Sequence, residues 1–145
     1  MIEGYFTPHR NPHPWLDVAV LIDGENPDWV LIPFVVDTGA ARTCIHAIDA
    51  VRRIGMSPGS LDPSSWRSPL AISGTAGSVN YLARDASFGF LQSDRSWLTF
   101  DGPILIGEMA SGATPALLGW DLLRHFTTTV VGRPQRVTLE PLRGE

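Results

Sequence analysis

Apolar and polar residues alternate along several short stretches of this chain, which is the period of a half-buried β-strand. In residues 15–22 every second side chain is a branched apolar one, so one face of this segment is predicted to be buried. Residues 29–36 are rich in β-branched and aromatic side chains and follow a turn-forming stretch, "DGENPD", at 23–28. The two segments are therefore predicted to pair as a hairpin.

The same pattern predicts further strands in the rest of the chain. Helical spacing occurs only at 47–54, where Gly55 follows as a stop signal, and near 120–126. Glycine-rich or polar turns separate the apolar segments, so most of these segments are predicted to form hairpins. The predicted strands are 42–46, two segments within 70–83, 83–91, 97–108, 127–131 and 136–139.

Closely spaced short strands with few helices are typical of a closed sheet. We therefore predict a mostly-β, single-domain, closed barrel with a short C-terminal helix. The 145 residues, 43% of them hydrophobic, suffice for one core. Residues 1–14 contain three prolines and are predicted to form an extended N-terminal arm, and residues 15–142 are predicted to form the domain.

Composition excludes several classes of function. A net charge of −4 argues against a nucleic-acid partner, because phosphate binding needs a positive surface. Cys44 is the single cysteine, so no disulfide can form within the chain. No apolar run is long enough to span a bilayer, and the N-terminus lacks the pattern of a signal peptide. The expectation is a cytoplasmic protein with no membrane partner.

The candidate chemistry begins at Asp37-Thr38-Gly39, which ends the apolar run "LIPFVV". A carboxylate there lies beside a low-dielectric region that disfavours its charged form. The threonine hydroxyl can donate and accept hydrogen bonds, and glycine lets backbone N–H groups approach the carboxylate. These three residues suit a carboxyl group that acts as acid or base. On the tripeptide alone, however, an ordinary strand-to-turn junction is the better interpretation.

A second motif, "PALLGWDLL" at 115–123, changes that interpretation. The order of hairpin, "VVDTGA", glycine-tipped hairpin and "LLGWDLL" resembles the retroviral-type aspartic proteases, the retropepsin-like family. The resemblance extends from about residue 15 to about residue 139. Additional residues at 47–66 and 92–102 make the chain more similar to a cellular or bacterial relative than to a viral enzyme. The resemblance implies an acid-protease fold half.

The resemblance also implies roles for individual residues. Asp37 would be the catalytic aspartate, and Thr38 would bond across a dimer axis to the partner's backbone. Gly39, Ala40 and Gly119 would support the loop, with the backbone N–H of Gly39 near the carboxylate and Gly119 packing closely beneath. The hairpin tip at 73–78 would act as a flap over a bound peptide. The substrate-binding residues would be Gly74, Thr75, Ala76, Gly77, Ala41 and Trp120.

Aspartic-protease chemistry needs two carboxyl groups, one ionised and one protonated. This chain has a single Asp-Thr-Gly, so the second group would be Asp37 of another copy. The expectation is a homodimeric aspartic endopeptidase acting on peptides or proteins, without metal or cofactor. Ala41 and Trp120 stand where many retroviral enzymes have an Asp and an Arg. That departure leaves an alternative: a weak or inactive retropepsin-like peptide-binding or dimerisation module.

Other candidate chemistry is weaker. His9 and His13 lie among prolines that forbid a helix, so a metal site there is disfavoured. His46 is interpreted as a surface or hydrogen-bonded structural histidine, and Cys44 as a core residue. Asp121 is expected to cap local structure. An unrelated barrel with a chance Asp-Thr-Gly turn ranks last, because it requires the second motif to be a coincidence too.

Overall fold

The computed structural model describes residues 1–7, 13–67, 70–74 and 77–143, without the side chains of 70–74 and 77. Strands account for 50% of the chain and helices for 17%, so the mostly-β prediction is confirmed. The strands are β1 (Ile2–Glu3), β2 (Tyr5–Phe6), β3 (Pro14–Ile22), β4 (Val30–Val36), β5 (Cys44–Ile45), β6 (Leu70–Gly74), β7 (Gly77–Leu91), β8 (Trp97–Gly107), β9 (Ala116–Leu118), β10 (Phe126–Gly132) and β11 (Gln135–Pro141).

The helices are short and lie between strands. One α-helical turn, α1 (Ala47–Asp49), continues as a π-helical turn, Ala50–Ile54, and ends at Gly55 with a φ of 90°. That left-handed conformation favours glycine and agrees with the predicted stop. The remaining helical segments are the 3₁₀ turns Pro58–Leu61, Pro63–Ser65 and Met109–Ser111, and α2 (Trp120–Leu123).

Six strands close into the predicted barrel, in the order β3-β4-β9-β5-β8-β7 and back to β3. Two of these pairings are parallel, β4 with β9 and β5 with β8. The parallel pairing of β4 with β9 aligns Val36 with Leu118, and it therefore places Asp37 and Gly119, the residues that follow these strand ends, next to each other. The strands β2 and β6 extend the sheet outside the ring, beside β3 and β7.

The alternation seen in the sequence is the alternation between the inside and the outside of this barrel. The inward side chains of β3 are almost completely buried, whereas Asp17 between them is exposed. Large side chains from the facing strands fill the same interior. The most deeply buried members of this core include Leu16, Val18, Val20, Ile22, Ile32, Phe34, Phe88, Phe90, Ile104 and Ile106.

A second, three-stranded sheet, β1-β11-β10, packs against the barrel. Phe126 at the start of β10 lies 5.1 Å from Phe90 and 5.5 Å from Phe100 between ring centroids, which joins the two sheets. The first residues of the chain are extended, and they pair with both sheets: β1 with β11 and β2 with β3. Residues 8–12 of the predicted arm lie outside the described residues.

Several elements differ in length from their predicted bounds, most clearly α2 and β7. The helix α2 ends at Leu123 instead of 126, because a turn follows and the β-branched run "TTTVV" belongs to β10. The segment 77–91 is one continuous strand, where the sequence predicted a break near 83. This long strand pairs with β6 in its first part and with β3 in its last part, and β8 accompanies it from Tyr81 onward.

Candidate active site

The Asp37 loop directly follows the end of β4. The backbone N–H of Asp37 donates to the carbonyl of Leu118, at 3.1 Å, which ties the loop to β9. The N–H of Gly39 donates to Oδ1 of Asp37 at 2.9 Å, and the N–H of Ala40 donates to the carbonyl of Asp37 at 3.2 Å. Asp37 is partly exposed and Gly39 is exposed. The loop thus presents an oriented carboxylate at the protein surface.

Gly119 lies directly beneath this loop. A Cβ on Gly119 would lie 2.7 Å from the carbonyl carbon and oxygen of Arg42 and 2.9 Å from the carbonyl oxygen of Ala40. These atoms are backbone, so they cannot rotate away, and only glycine permits this approach. The next two N–H groups, those of Trp120 and Asp121, donate to the carbonyls of Ala40 and Ala41 at 2.9 and 3.2 Å. The two sequence motifs therefore form one structural unit.

A partly buried hydrogen-bond network between Thr43 and Asp121 strengthens this unit. The hydroxyl of Thr43 donates to Oδ1 of Asp121 at 2.6 Å, and the Thr43 N–H lies 3.0 Å from both carboxylate oxygens. The N–H of Gly119 in turn donates to the Thr43 hydroxyl at 3.1 Å. Asp121, which was expected to cap local structure, also accepts from the N–H of Leu122 at 3.0 Å, whereas the N-cap of α2 is Gly119.

Thr43 was not identified from the sequence. Its side chain is completely buried, 0% exposed, and every bond of its hydroxyl goes to the distant second motif. The available signal was a lone hydroxyl residue between exposed Arg42 and the buried pair Cys44–Ile45. A threonine in that position is equally consistent with an ordinary strand residue.

Trp120 occupies the position after Gly119 where the retroviral pattern has an arginine. Its indole N–H donates to the carbonyl oxygen of Thr38 at 2.6 Å, while the side chain remains 46% exposed. Ala41, at the other altered position, is also exposed. Trp120 therefore makes a neutral hydrogen bond to the backbone of the Asp loop, at a position where many retroviral enzymes have an Arg.

The hairpin predicted as the flap is present in the backbone. β6 pairs with β7 from Leu70 opposite Tyr81 to Gly74 opposite Gly77. Thr75 and Ala76, predicted at the tip, lie outside the described residues. At the base of the hairpin Tyr81 packs in a small buried cluster with Cys44 and Leu105. Because Cys44 directly follows Thr43, the hairpin base adjoins the network beneath the Asp loop.

His46 anchors the same region. Its Nδ1 lies 3.0 Å from the carbonyl oxygen of Pro115, which can only accept, so Nδ1 carries the proton. Its Nε2 lies 2.7 Å from the hydroxyl of Tyr81, which therefore donates. Burial lowers the pKa of His46 and raises the pKa of Tyr81 to about 12. A neutral imidazole ring with a hydrogen bond at each nitrogen agrees with the structural role predicted for His46.

Cys44 belongs to the interior, as the sequence predicted. The thiol is buried, and this burial raises its pKa to about 11. The reactive form of cysteine is the thiolate, so a thiol with this pKa is a poor nucleophile near neutral pH. Cys44 therefore packs beside the candidate site, in the buried cluster with Tyr81 and Leu105.

In the part of the chain that the structure describes, no group of three or more His, Cys, Asp or Glu side chains is arranged to hold a metal ion. Within the same residues, no helix has both the length and the apolar character needed to cross a membrane.

The chain matches no protein-family model and no curated protein. The candidate site itself consists of an oriented carboxylate on an exposed loop, a glycine packed against the loop backbone, and a hairpin whose base adjoins the same network.

Proposed function

We propose that this protein is a homodimeric aspartic endopeptidase of the retropepsin-like type. The observation that supports this most strongly is the packing of Gly119 against the backbone of Ala40 and Arg42. It joins two motifs that are about eighty residues apart, at the point where the resemblance requires a glycine. A chance Asp-Thr-Gly turn would have no reason to pair with a second motif in this way.

The need for a second copy follows from the number of carboxyl groups. Peptide hydrolysis of this kind uses one ionised and one protonated carboxyl group at close range, where like charges cannot both ionise. Asp121, the other acid in the unit, already accepts hydrogen bonds from Thr43 and Leu122 beneath the loop. A two-fold axis next to the exposed Thr38 and Gly39 would bring two copies of Asp37 together.

In the proposed reaction the ionised Asp37 removes a proton from water as the water oxygen attacks the peptide carbonyl. The protonated Asp37 of the other copy donates a hydrogen bond to that carbonyl oxygen. The proton taken from water then passes to the peptide nitrogen as the C–N bond breaks, which releases the amine and leaves the first Asp37 ionised again. The Gly39 N–H keeps the carboxylate oriented. The β6–β7 hairpin would cover the bound peptide and exclude water.

The alternative proposal is a peptide-binding or dimerisation module with the same fold and little or no hydrolysis. Two residues favour it. Ala41 supplies no carboxylate at a position where many retroviral enzymes have an Asp, and Trp120 is neutral where they have an Arg. The intact Asp37, with its backbone donor, favours the enzyme, because a scaffold alone needs no oriented carboxylate at an exposed loop.

The test combines cleavage with solution mass. Wild-type protein, Asp37→Asn and the control Asp28→Asn, an exposed turn residue, are incubated with an unfolded protein substrate between about pH 4 and 7. We expect cleavage by wild type and by the control, none by Asp37→Asn, and a dimeric mass for all three. A monomer at every concentration would contradict the active dimer. A dimer without cleavage at any pH would support the binding module.

A further inference from the structure

The outer face of the barrel carries an apolar trough far from the Asp37 loop. The strand register places four outward positions in one row across β4, β3, β7 and β8: Leu31, Ala19, Gly89 and Thr99. Leu31 and Asp37 lie on the same extended segment, six residues apart, which corresponds to roughly 20 Å. The trough is therefore a separate surface from the candidate active site, and its role does not depend on the proposed function.

Two tryptophans form the walls of this trough and small residues form its floor. A Cβ on Gly89 would lie 3.3 Å from the Trp97 ring, 3.5 Å from the Trp29 ring and 3.3 Å from Cβ of Ala19. Ala19 points outward and is nevertheless only 5% exposed, because the indoles cover it. Trp29 and Trp97 themselves are 47% and 52% exposed, and the trough has a volume of about 500 Å³.

Carboxylates border the trough at both ends. Ser87 and Asp101 form the next row toward one end, and the Ser87 hydroxyl donates to Asp101 at 2.6 Å. Beyond this row, Asp23 and Asp85 line an adjoining hollow with Asp101. At the opposite end Asp17 is exposed on β3. The described residues that line the trough include no Arg, and the chain contains no Lys. Arg84, exposed on β7 beside Asp85, lies 3.6 Å from Glu25 and is paired with it.

We propose that this trough binds a segment of a partner protein in which apolar side chains alternate with Arg or Lys. Exposed aromatic clusters on soluble proteins mark interaction surfaces, and Trp is enriched among residues that dominate binding energy. The exposed parts of the two indoles form an apolar surface along this trough, and apolar side chains of the partner would pack against them. The neighbouring cations of the partner would contact Asp101 and Asp17, and they would also be attracted to the faces of the indole rings.

The proposal is tested with the whole 145-residue chain carrying Asp37→Asn, so that no peptide is cleaved during the measurement. The probe is a synthetic peptide in which Leu and Arg alternate, and its partner probe has Glu in place of each Arg. Binding is followed by tryptophan fluorescence and calorimetry at low and high salt. Trp97→Ala and Asp101→Asn are introduced separately, and Glu140→Gln, an exposed acid on β11, is the matched charge control.

We expect the Leu-Arg peptide to bind and the Leu-Glu peptide not to bind. Trp97→Ala should weaken binding at least tenfold at either salt concentration. Asp101→Asn should weaken it several-fold at low salt and less at high salt, because ions screen exposed charges. Glu140→Gln should leave binding unchanged. If Trp97→Ala fails to fold, Thr99→Arg, at an exposed position in the same row, should abolish binding by placing bulk and a positive charge in the trough.

Three results would overturn the proposal. The first is no binding of the Leu-Arg peptide to Asp37→Asn protein. The second is equal binding of the two peptides, or binding that neither Trp97→Ala nor Thr99→Arg alters. The third is a trough occupied by a second copy of the chain, which would appear as self-association that Thr99→Arg disrupts. Because every measurement uses Asp37→Asn, these outcomes are independent of whether wild type is a protease.

Discussion

The indole N–H of Trp120 donates a 2.6 Å hydrogen bond to the carbonyl oxygen of Thr38. Thr38 is the residue whose side chain would reach across the proposed dimer axis, and it adjoins Asp37. The bond therefore restrains the backbone at the centre of the candidate site from below. Because it is neutral, it needs no charged partner at Ala41, where an acid is absent.

Replacing Trp120 with Phe keeps an aromatic ring and removes the N–H donor. The loss of one neutral hydrogen bond should cost about 1 kcal/mol of stability. If the bond positions the Asp loop, kcat should fall about ten- to a hundredfold with a smaller change in KM. Trp66→Phe is the matched control, because the Trp66 indole also donates to a backbone carbonyl, that of Ser60 at 2.8 Å. Equal kinetic effects of the two variants would argue against a positioning role for Trp120.

Replacing Gly119 with Ala should disrupt the loop by steric overlap. The added Cβ would meet backbone atoms of Arg42 and Ala40 within 2.9 Å, so the cost should be about 1–3 kcal/mol. Thermal unfolding and cleavage rate measure the two consequences. Gly132→Ala is the control, since a Cβ there meets nothing within 4 Å. A Gly119→Ala protein as stable and active as Gly132→Ala would show that the close packing is unimportant.

Replacing Thr43 with Val removes a hydroxyl at nearly constant volume. The N–H of Gly119 then loses its acceptor and Asp121 loses a donor, so we expect a loss of about 1–3 kcal/mol. Thr128→Val provides the opposite case. The buried Oγ1 of Thr128 has no hydrogen-bond partner among the described residues, and its removal should be neutral or stabilising. Urea unfolding measures the change in the free energy of unfolding for both variants. Similar losses of stability in Thr43→Val and Thr128→Val would contradict the network described for Thr43.

The stability of the protein should decrease in acid through His46. Burial holds the pKa of His46 below its ordinary value of 6.5. Below pH 6.5 the unfolded chain therefore takes up a proton that the folded protein resists, and stability falls until the folded pKa is passed. Asp49 has the opposite effect on stability. Burial raises the pKa of its carboxyl group, so the folded protein binds a proton more readily than the unfolded chain does, and this contribution to stability increases as the pH falls.

Urea unfolding at several pH values between about 5 and 7.5 measures this effect, with a slope of at most about 1.4 kcal/mol per pH unit for one proton. His46→Gln should be less stable near neutral pH, because the side chain is buried and its two bonds are altered. Its stability should nevertheless depend less on pH in this range. The same slope in both proteins would assign the pH dependence to other groups.

Much of the fold could be predicted from local sequence patterns. Alternating apolar residues indicated the strands, and the closed barrel followed from their number and spacing. Gly55 ended the helix as its position indicated, with a φ of 90°. The break predicted near 83 was wrong. A continuous strand can pair with different neighbours along its length, and the arrangement of the whole sheet determines which neighbours these are.

The candidate site likewise combines features that the sequence predicted with contacts that only the tertiary structure shows. The sequence by itself determined the chemistry available: one carboxylate in an Asp-Thr-Gly loop, a glycine in the second motif, and a glycine-tipped hairpin. Only the tertiary structure decided that Trp120 bonds to Thr38, that Thr43 bonds to Asp121, and that Ala19 and Gly89 lie side by side beneath two indoles. These contacts join residues far apart in the chain. Strand register and packing set such contacts, and no local spacing encodes them.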